Sequence, residues 1–333
     1  MKNRTINQHF ISQAEQRLNA INPNAKPKKQ KIYAFNIIDR DEFKIELASD
    51  GGTKIANNLS DTDLYSFDLL SEGERKNFEI LFGQYEYDIA KTTKTLLDKA
   101  LEKNVDISTE LQRIFVLKFM NSLRNPHCIK STLNLFRRII RCYPTDSEQH
   151  KKFSSIEVGN KPHVKILACK YSVTEKEYSD WLKILFLTLA VADKNSLNIV
   201  ESIANKFFIN PVNLVTVFLC IYSENVGVLL SDRGYSILDD NPSNVTFDFN
   251  LSSDSFVTYV FSDLNLAAPS VFGENSEYAS KVVNLYSKLP PKINVKLLID
   301  NQECLESYNS RVIFQANKNV YCKHKEVPVQ SGL

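Results

Sequence analysis

The sequence predicts an α+β protein, a mainly helical body flanked by an N-terminal β-hairpin and a C-terminal antiparallel β region. Three observations carry that expectation. Residues 31–47 alternate apolar and polar around a polar turn. Between about 71 and 208 the apolar residues recur at helical spacing. Beyond 227 the period falls back to two, in 245–251 and 256–261.

Taken in order, residues 7–20 read as a short helix or irregular arm ended by Asn22-Pro23, and Asn24 to Gln30 as a Lys/Pro connector. Ile32–Ile37 and Glu42–Leu47 alternate as paired strands across Asp39-Arg40-Asp41, and Gly51-Gly52 marks a loop. Ser71 and Glu74 have the spacing of a capping box, in which each side chain satisfies the other's free backbone N–H. The helix they open runs to about residue 103, with Phe78, Phe82, Tyr85 and Ile89 on one buried face. A second helix starts near Ser108 and stops before Pro126, because the residue preceding a proline is pushed out of helical geometry. Apolar almost all round, it is expected at the centre. A third, Lys130–Cys142, carries Arg137, Arg138 and Arg141. Thr174 and Glu177 cap a helix over 178–192, and Ser196–Phe208 forms another, stopped by Asn210-Pro211. Gly227–Leu230 reads as a strand entering the turn Ser231-Asp232-Arg233-Gly234, and Pro290-Pro291 breaks the chain before a final helix, Gln302–Asn317. A single domain over 1–333 is expected. A subdivision stays open, with the hairpin and part of the helices in 1–150 and the remaining helices with the late strands in 165–325.

Of the 333 residues 43% are hydrophobic, enough for a sizeable core. The most apolar run, Trp181–Ala192, is too short to span a bilayer and contains Lys183. The run 212–230 is interrupted by Glu224 and Asn225. No membrane span is expected, nor a secretory signal in Met1–Phe10, so a cytoplasmic location is the expectation. Six cysteines stand singly, which argues against zinc and for reduced thiols. The net charge of +2 is unevenly spread: +6 over residues 1–31, +7 over 111–152, and −5 over 232–263. Such asymmetry suits an anionic partner, nucleic acid first, or charges that complement one another across the fold.

No P-loop, dinucleotide fingerprint, zinc-protease motif or nucleophile elbow is present. Four weaker constellations remain. Gln8-His9-Phe10-Ile11-Ser12 offers an imidazole that titrates near neutrality, as a general acid or base needs. Glu79 and Glu86 flank Phe82 on the shoulder of a buried helix face. Lys118, Asn121, Arg124 and Asn125 put polar groups on an apolar helix, where burial demands partners. Arg124 can grip a phosphate or carboxylate through two parallel bonds, or form a salt bridge to Glu86. Ser231-Asp232 leaves a strand into a loop, a common place for a catalytic or metal-binding carboxylate and also for a turn residue.

Together these segments resemble a bacterial family catalogued as domain-of-unknown-function family 4238. Its members open with Gln-His-Tyr-Val-Pro, carry a helical Glu and an Arg-x-Pro at a helix end, and close with Ser-Asp-x-Pro after a strand. The matching positions are Gln8-His9-Phe10-Ile11-Ser12, Glu86, Arg124-Asn125-Pro126 and Ser231-Asp232-Arg233-Gly234. Ser12 and Gly234 stand where the family has proline. The resemblance spans roughly 7–318 and implies an accessory protein of mobile or defence-related loci.

The leading functional expectation is a nucleic-acid-directed enzyme, a nuclease acting as toxin or antiviral effector. In it His9 is the general acid or base, Glu86 and Asp232 are the carboxylates, and Arg124 stabilises charge on phosphate. Gln8, Lys118, Asn121, Asn125 and Ser231 would bind substrate, and Mg²⁺ would be the metal if Asp232 and Glu86 hold one. The competing expectation is a non-catalytic sensor or binding protein. There, Arg124–Glu86 and His9–Asp232 fix the fold and the basic arms dock nucleic acid or a partner protein. A small-molecule hydrolase or transferase using the same cluster is a third.

Overall fold

The computed structural model describes residues 7–68, 75–102, 105–159, 161, 163–190, 197–223, 226–238, 241–273 and 277–330. The chain is α+β. Its first part runs β1 (Asn7–His9), α1 (Gln13–Leu18), β2 (Lys31–Asp39), β3 (Lys44–Leu47), β4 (Thr53–Lys54), β5 (Ser60–Thr62), β6 (Ser66–Asp68) and β7 (Arg75–Asn77). The helical body follows as α2 (Glu79–Ala100), α3 (Ser108–Arg124), α4 (Ile129–Leu135), α5 (Ser147–Val158), α6 (Val164–Lys170), α7 (Glu175–Ala190) and α8 (Ile199–Ile209). The last part is β8 (Asn213–Ile221), β9 (Leu230–Ser231), β10 (Asn244–Ser252), β11 (Ser255–Asp263), α9 (Leu264–Phe272), α10 (Glu277–Tyr286), β12 (Ile293–Ile299), α11 (Gln302–Gln315) and β13 (Asn319–Cys322).

Two sheets frame the body. One has the order β10-β11-β8-β12, antiparallel except that β12 runs parallel to β8. The other has the order β3-β2-β13-β9, with β4 paired to β2. The expected hairpin is therefore part of a larger sheet, completed by a strand from the far end of the described chain. β13 pairs with β2 on one side (Val320 opposite Phe35) and β9 on the other (Val320 opposite Ser231).

α3 is the central helix its composition predicts, with Leu111, Ile114, Phe115, Leu117, Met120 and Leu123 all buried. Phe115 joins helices to sheet: its ring centroid lies 5.1–6.1 Å from those of Phe208, Phe247, Phe249, Tyr259 and Phe261. Truncation to alanine would cost about 3–5 kcal/mol, as expected for a fully packed aromatic ring. A second core, including Phe35, Tyr222, Phe256, Leu305, Tyr308 and Val312, seats α11 beside the β2 sheet.

Several boundaries differ from those expected. The helix over 71–103 begins only at Glu79, because 75–77 pair with 66–68 as a short ribbon. Its expected Ser71–Glu74 cap lies outside the described residues. The helix over 130–142 ends at Leu135 and resumes as one 3-10 turn, Ile139–Arg141. Residues 7–9 of the expected arm form a strand, pairing with 60–62 before α1 begins. The Thr174–Glu177 cap forms: Glu177 N–H donates to Thr174 Oγ1 at 3.1 Å, and Thr174 N–H to Glu177 Oε2 at 2.7 Å.

Candidate functional site

Three elements bring three of the four leading candidates together. α3 ends on Arg124, α2 carries Glu86, and β1 carries His9. Arg124 Nη1 donates to Glu86 Oε1 at 2.6 Å. The guanidinium side chain is 2% exposed and the glutamate 30%, so solvent reaches the pair from the Glu86 side. Phe82, one turn before Glu86 on α2, lies under the guanidinium, whose carbon is 5.1 Å from the ring centroid. The last carbonyls of α3 lack helical donors, and side chains supply them. Tyr65 Oη donates to Arg124 O at 2.7 Å, and Trp181 Nε1 to Leu123 O at 2.8 Å. The helix end that aims Arg124 is thereby locked.

Burial alone would lower the Arg124 pKa, but the Glu86 carboxylate holds it above its ordinary value. His9 is 8% exposed. Burial pushes its pKa below the usual value, against hydrogen bonding to the Ile55 backbone and the Glu86 charge, which pull it up, while Arg124 lowers it further. Both charges of the ion pair therefore reach the imidazole, and burial favours its neutral form, which has one ring nitrogen free to accept a proton.

Arg124 Nε and Nη2 and His9 Nε2 are buried with no hydrogen-bond partner among the described residues. Nε and Nη2 form one side of the guanidinium, the pair of parallel donors that matches a phosphate or carboxylate. The crevice beside Arg124 is lined by Ser12, Glu15, Tyr85, Glu86, Leu117 and Asn121, among others. Its inner space of about 10 Å³ takes one water molecule.

Lys118 and Asn121, expected to bind substrate, both bond to the Glu15 carboxylate. Lys118 and Glu15 are 1% and 2% exposed, a fully buried ion pair. The sequence reading missed Glu15. Its signal was the Ser12-x-x-Glu15 spacing of a helix cap, and Ser12 Oγ does accept from Glu15 N–H at 3.1 Å. The Glu15 carboxylate turns inward to α3 as well. The side chain of Glu79 lies outside what is described.

The fourth candidate, Asp232, is not brought to His9. Its carboxylate accepts from the backbone N–H groups of Asn317, Lys318 and Asn319 at 2.7, 2.7 and 3.0 Å. The expected His9–Asp232 pair is therefore absent among the described residues. Ser231 Oγ accepts from Arg233 N–H at 3.0 Å and closes the turn. Asn125 donates to the carbonyls of Asp232 and Arg233 at 2.8 and 3.0 Å, and accepts from His127 N–H at 3.0 Å. Gln8 donates to Ser66 Oγ at 2.9 Å and accepts from Tyr65 N–H at 2.5 Å. Asp232, Asn125 and Gln8 thus tie separate segments of the chain together, and Ser231 serves its own turn.

Asp232 and Glu86 do not make an ion site, since one carboxylate faces three N–H groups and the other a guanidinium. Among the described residues no group of three or more His, Cys, Asp or Glu side chains could hold a metal ion. The six cysteines are free thiols. No described helix is long and apolar enough to cross a membrane.

A second polar cluster, around His127 and Asp61, was not anticipated. His127 packs edge-on against Phe10 and Tyr171, with centroids 5.7 and 4.9 Å away. Asp61, opposite Gln8 in the β1–β5 ribbon, bonds to Tyr171 Oη and to Lys170 Nζ, the latter at 2.5 Å. His127 follows Asn125-Pro126 directly, a place in the motif that could have drawn attention to it.

Fold and site together define an α+β protein with a buried polar centre at the meeting of α1, α2, α3 and the first strand. No family model, curated protein or solved structure matches the chain.

Proposed function

We propose that the chain is a nucleic-acid-directed enzyme that cleaves phosphodiester bonds, a divergent relative of family 4238, with His9, Glu86 and Arg124 at its centre. One observation supports this above the rest: a fully buried arginine keeps its Nε and Nη2 unpaired, within electrostatic reach of a buried histidine whose Nε2 is unpaired too. Leaving the guanidinium donors and the imidazole acceptor unmet costs about 1–3 kcal/mol each, more for charged groups, so a site that keeps them is a site with a ligand to meet. A phosphate oxygen pair fits the free side of the guanidinium. His9 would take the proton of the attacking hydroxyl or water as its oxygen bonds to phosphorus, the P–O bond to the leaving oxygen would break, and that oxygen would take a proton from solvent, to which His9 later releases its own; Arg124 would stabilise charge gathering on phosphate, and Glu86 would hold Arg124 in place. Substrate would enter by displacing the Glu86 side of the crevice, the only partly exposed member of the three.

The test is cleavage of labelled single-stranded RNA, single-stranded DNA and duplex DNA, with and without Mg²⁺, by the wild type, His9→Gln and Glu86→Gln. Loss of cleavage in both variants, with the melting temperature of His9→Gln unchanged, supports the reading. Full cleavage by His9→Gln removes it. A second reading, a non-catalytic binding protein held by a polar network, is favoured by the commitment of Gln8, Lys118, Asn125 and Asp232 to internal partners. It predicts no cleavage by the wild type and a lower melting temperature in both variants.

A further inference from the structure

We infer that the segment from α4 to the start of α5 is a docking surface for single-stranded nucleic acid, with Arg137, Arg138 and Arg141 gripping its phosphates and Tyr143 as its stacking platform. The inference rests on the nucleic-acid reading above and supplies it with a substrate class.

The starting point is charge. From Leu111 to Thr145 the sequence has seven Lys and Arg and no Asp or Glu. The structure divides the seven. Arg113, Lys118 and Arg124 are paired with Asp88, Glu15 and Glu86. Lys130 lies within electrostatic reach of Glu177. The guanidinium groups of Arg137, Arg138 and Arg141 have no hydrogen bond, ion pair or ring contact among the described residues, and all three residues are exposed. Arg138 and Arg141, three residues apart across the 3-10 turn, share one face, and Arg137 stands next to it in the turn that ends α4. Ile139 and Ile140, between them, pack against the core and fix that face outward.

The nearest acids are already engaged. Asp146 accepts from Gln149 N–H at the start of α5, at 2.9 Å, and Glu148 pairs with Lys152. Arg137, Arg138 and Arg141 outnumber Asp146 and Glu148, and Glu148 is taken up by Lys152, so the patch keeps an excess of positive charge, which a polyanion complements.

Tyr143 selects single strands. The residue is 54% exposed, and its ring meets Phe153 at 79° and His150 at 37°, with centroids 5.2 and 5.9 Å away, so two neighbouring rings hold it while over half of the residue stays open to solvent. A duplex hides the faces of its bases inside the stack, whereas an unpaired base can lie on an exposed ring.

The experiment measures anisotropy of fluorescein-labelled U20 RNA, dT20 and a 20-base-pair DNA duplex with the full chain, over a salt series. The wild type is expected to bind both single strands more tightly than the duplex. The triple variant R137A/R138A/R141A should flatten the slope of log K against log salt by about 2, from roughly 0.7 for each phosphate no longer neutralised. Tyr143→Ala should weaken single-strand binding about 5- to 150-fold and duplex binding little. All four positions are exposed, so melting temperatures should hold. Wild-type affinity in the triple variant, or equal affinity for duplex and single strands, overturns the surface. Cleavage separates the two readings. Binding without cleavage leaves the surface standing and defeats the enzyme. Cleavage undiminished in the triple variant defeats the surface and leaves the enzyme.

Discussion

Replacing Lys118 by methionine would leave the Glu15 carboxylate inside the protein without its ammonium partner. Both side chains are almost fully buried, at 1% and 2% exposure, and methionine keeps most of the lysine's apolar stem. Glu15 would retain Asn121 and the Ser12 hydroxyl, the latter at 3.3 Å, but neither carries charge. Breaking one side of such a pair costs about 3–5 kcal/mol, because the remaining charge has lost its water and its counter-ion together. Removing both, in Glu15→Leu with Lys118→Met, should cost less than the single change, with a coupling of about 2–3 kcal/mol in the double-mutant cycle. Urea unfolding followed by Trp181 fluorescence reads this directly. It is the one tryptophan, fully buried and hydrogen-bonded to the Leu123 carbonyl on the same helix as Lys118. A loss below about 1 kcal/mol in Lys118→Met would mean that the pair is hydrated, and the account of a sealed centre would fail.

Asp232→Asn should cost about 2–4 kcal/mol, since its amide cannot accept all three backbone N–H bonds that the carboxylate takes from residues 317–319. Hydrogen exchange at those three amides should accelerate in step, and unchanged exchange would refute it. The lowered pKa of His9 sets a pH dependence: below about 6.5 the unfolded imidazole binds its proton while the buried one resists, so stability is lost as pH falls toward the folded value. His9→Gln should shallow the decline in stability between pH 7 and 5, leaving the shares of His127 and His324, which are also lowered by burial. An identical decline would contradict the burial of His9. Gly83→Ala should raise stability by about 0.5–1 kcal/mol, since a Cβ there meets nothing within 4 Å in α2, whereas Gly234→Ala should lower it by about 1–3 kcal/mol. Gly234 has φ +85 and Ile11 Cδ1 only 2.7 Å from the added carbon. Thermal melts of the two variants moving in the same direction would refute the contrast.

What the sequence disclosed follows from the range of each interaction. α3 was legible because an all-round apolar helix of that length is buried wherever it lies, and the Thr174 cap because its partner is three residues away. The Arg124–Glu86 pair was visible as one of two readings, since both residues were apolar-face exceptions on helices. β8 was not recognised as a strand, because a continuous apolar run has no period to separate a central strand from a buried helix. Residues 7–9 and 75–77 take strand geometry from partners elsewhere in the chain, which local pattern cannot show. Glu15 finds Lys118 across 103 residues, and Asp232 finds its three amides across 85 to 87. Polar residues announced that they needed partners, not which partners they had.

The place of β13 has a consequence for synthesis. Asn36 and Asn319 meet side by side although 283 residues separate them. At about 5–20 residues per second, a ribosome takes roughly 15 to 60 seconds to deliver the second after the first. Throughout that time β2 offers an open hydrogen-bonding edge, with Ile32, Ala34 and Phe35 beside it still uncovered. A nascent chain stalled before residue 319 would present a strand template to its neighbours, and there a holding chaperone would find its grip.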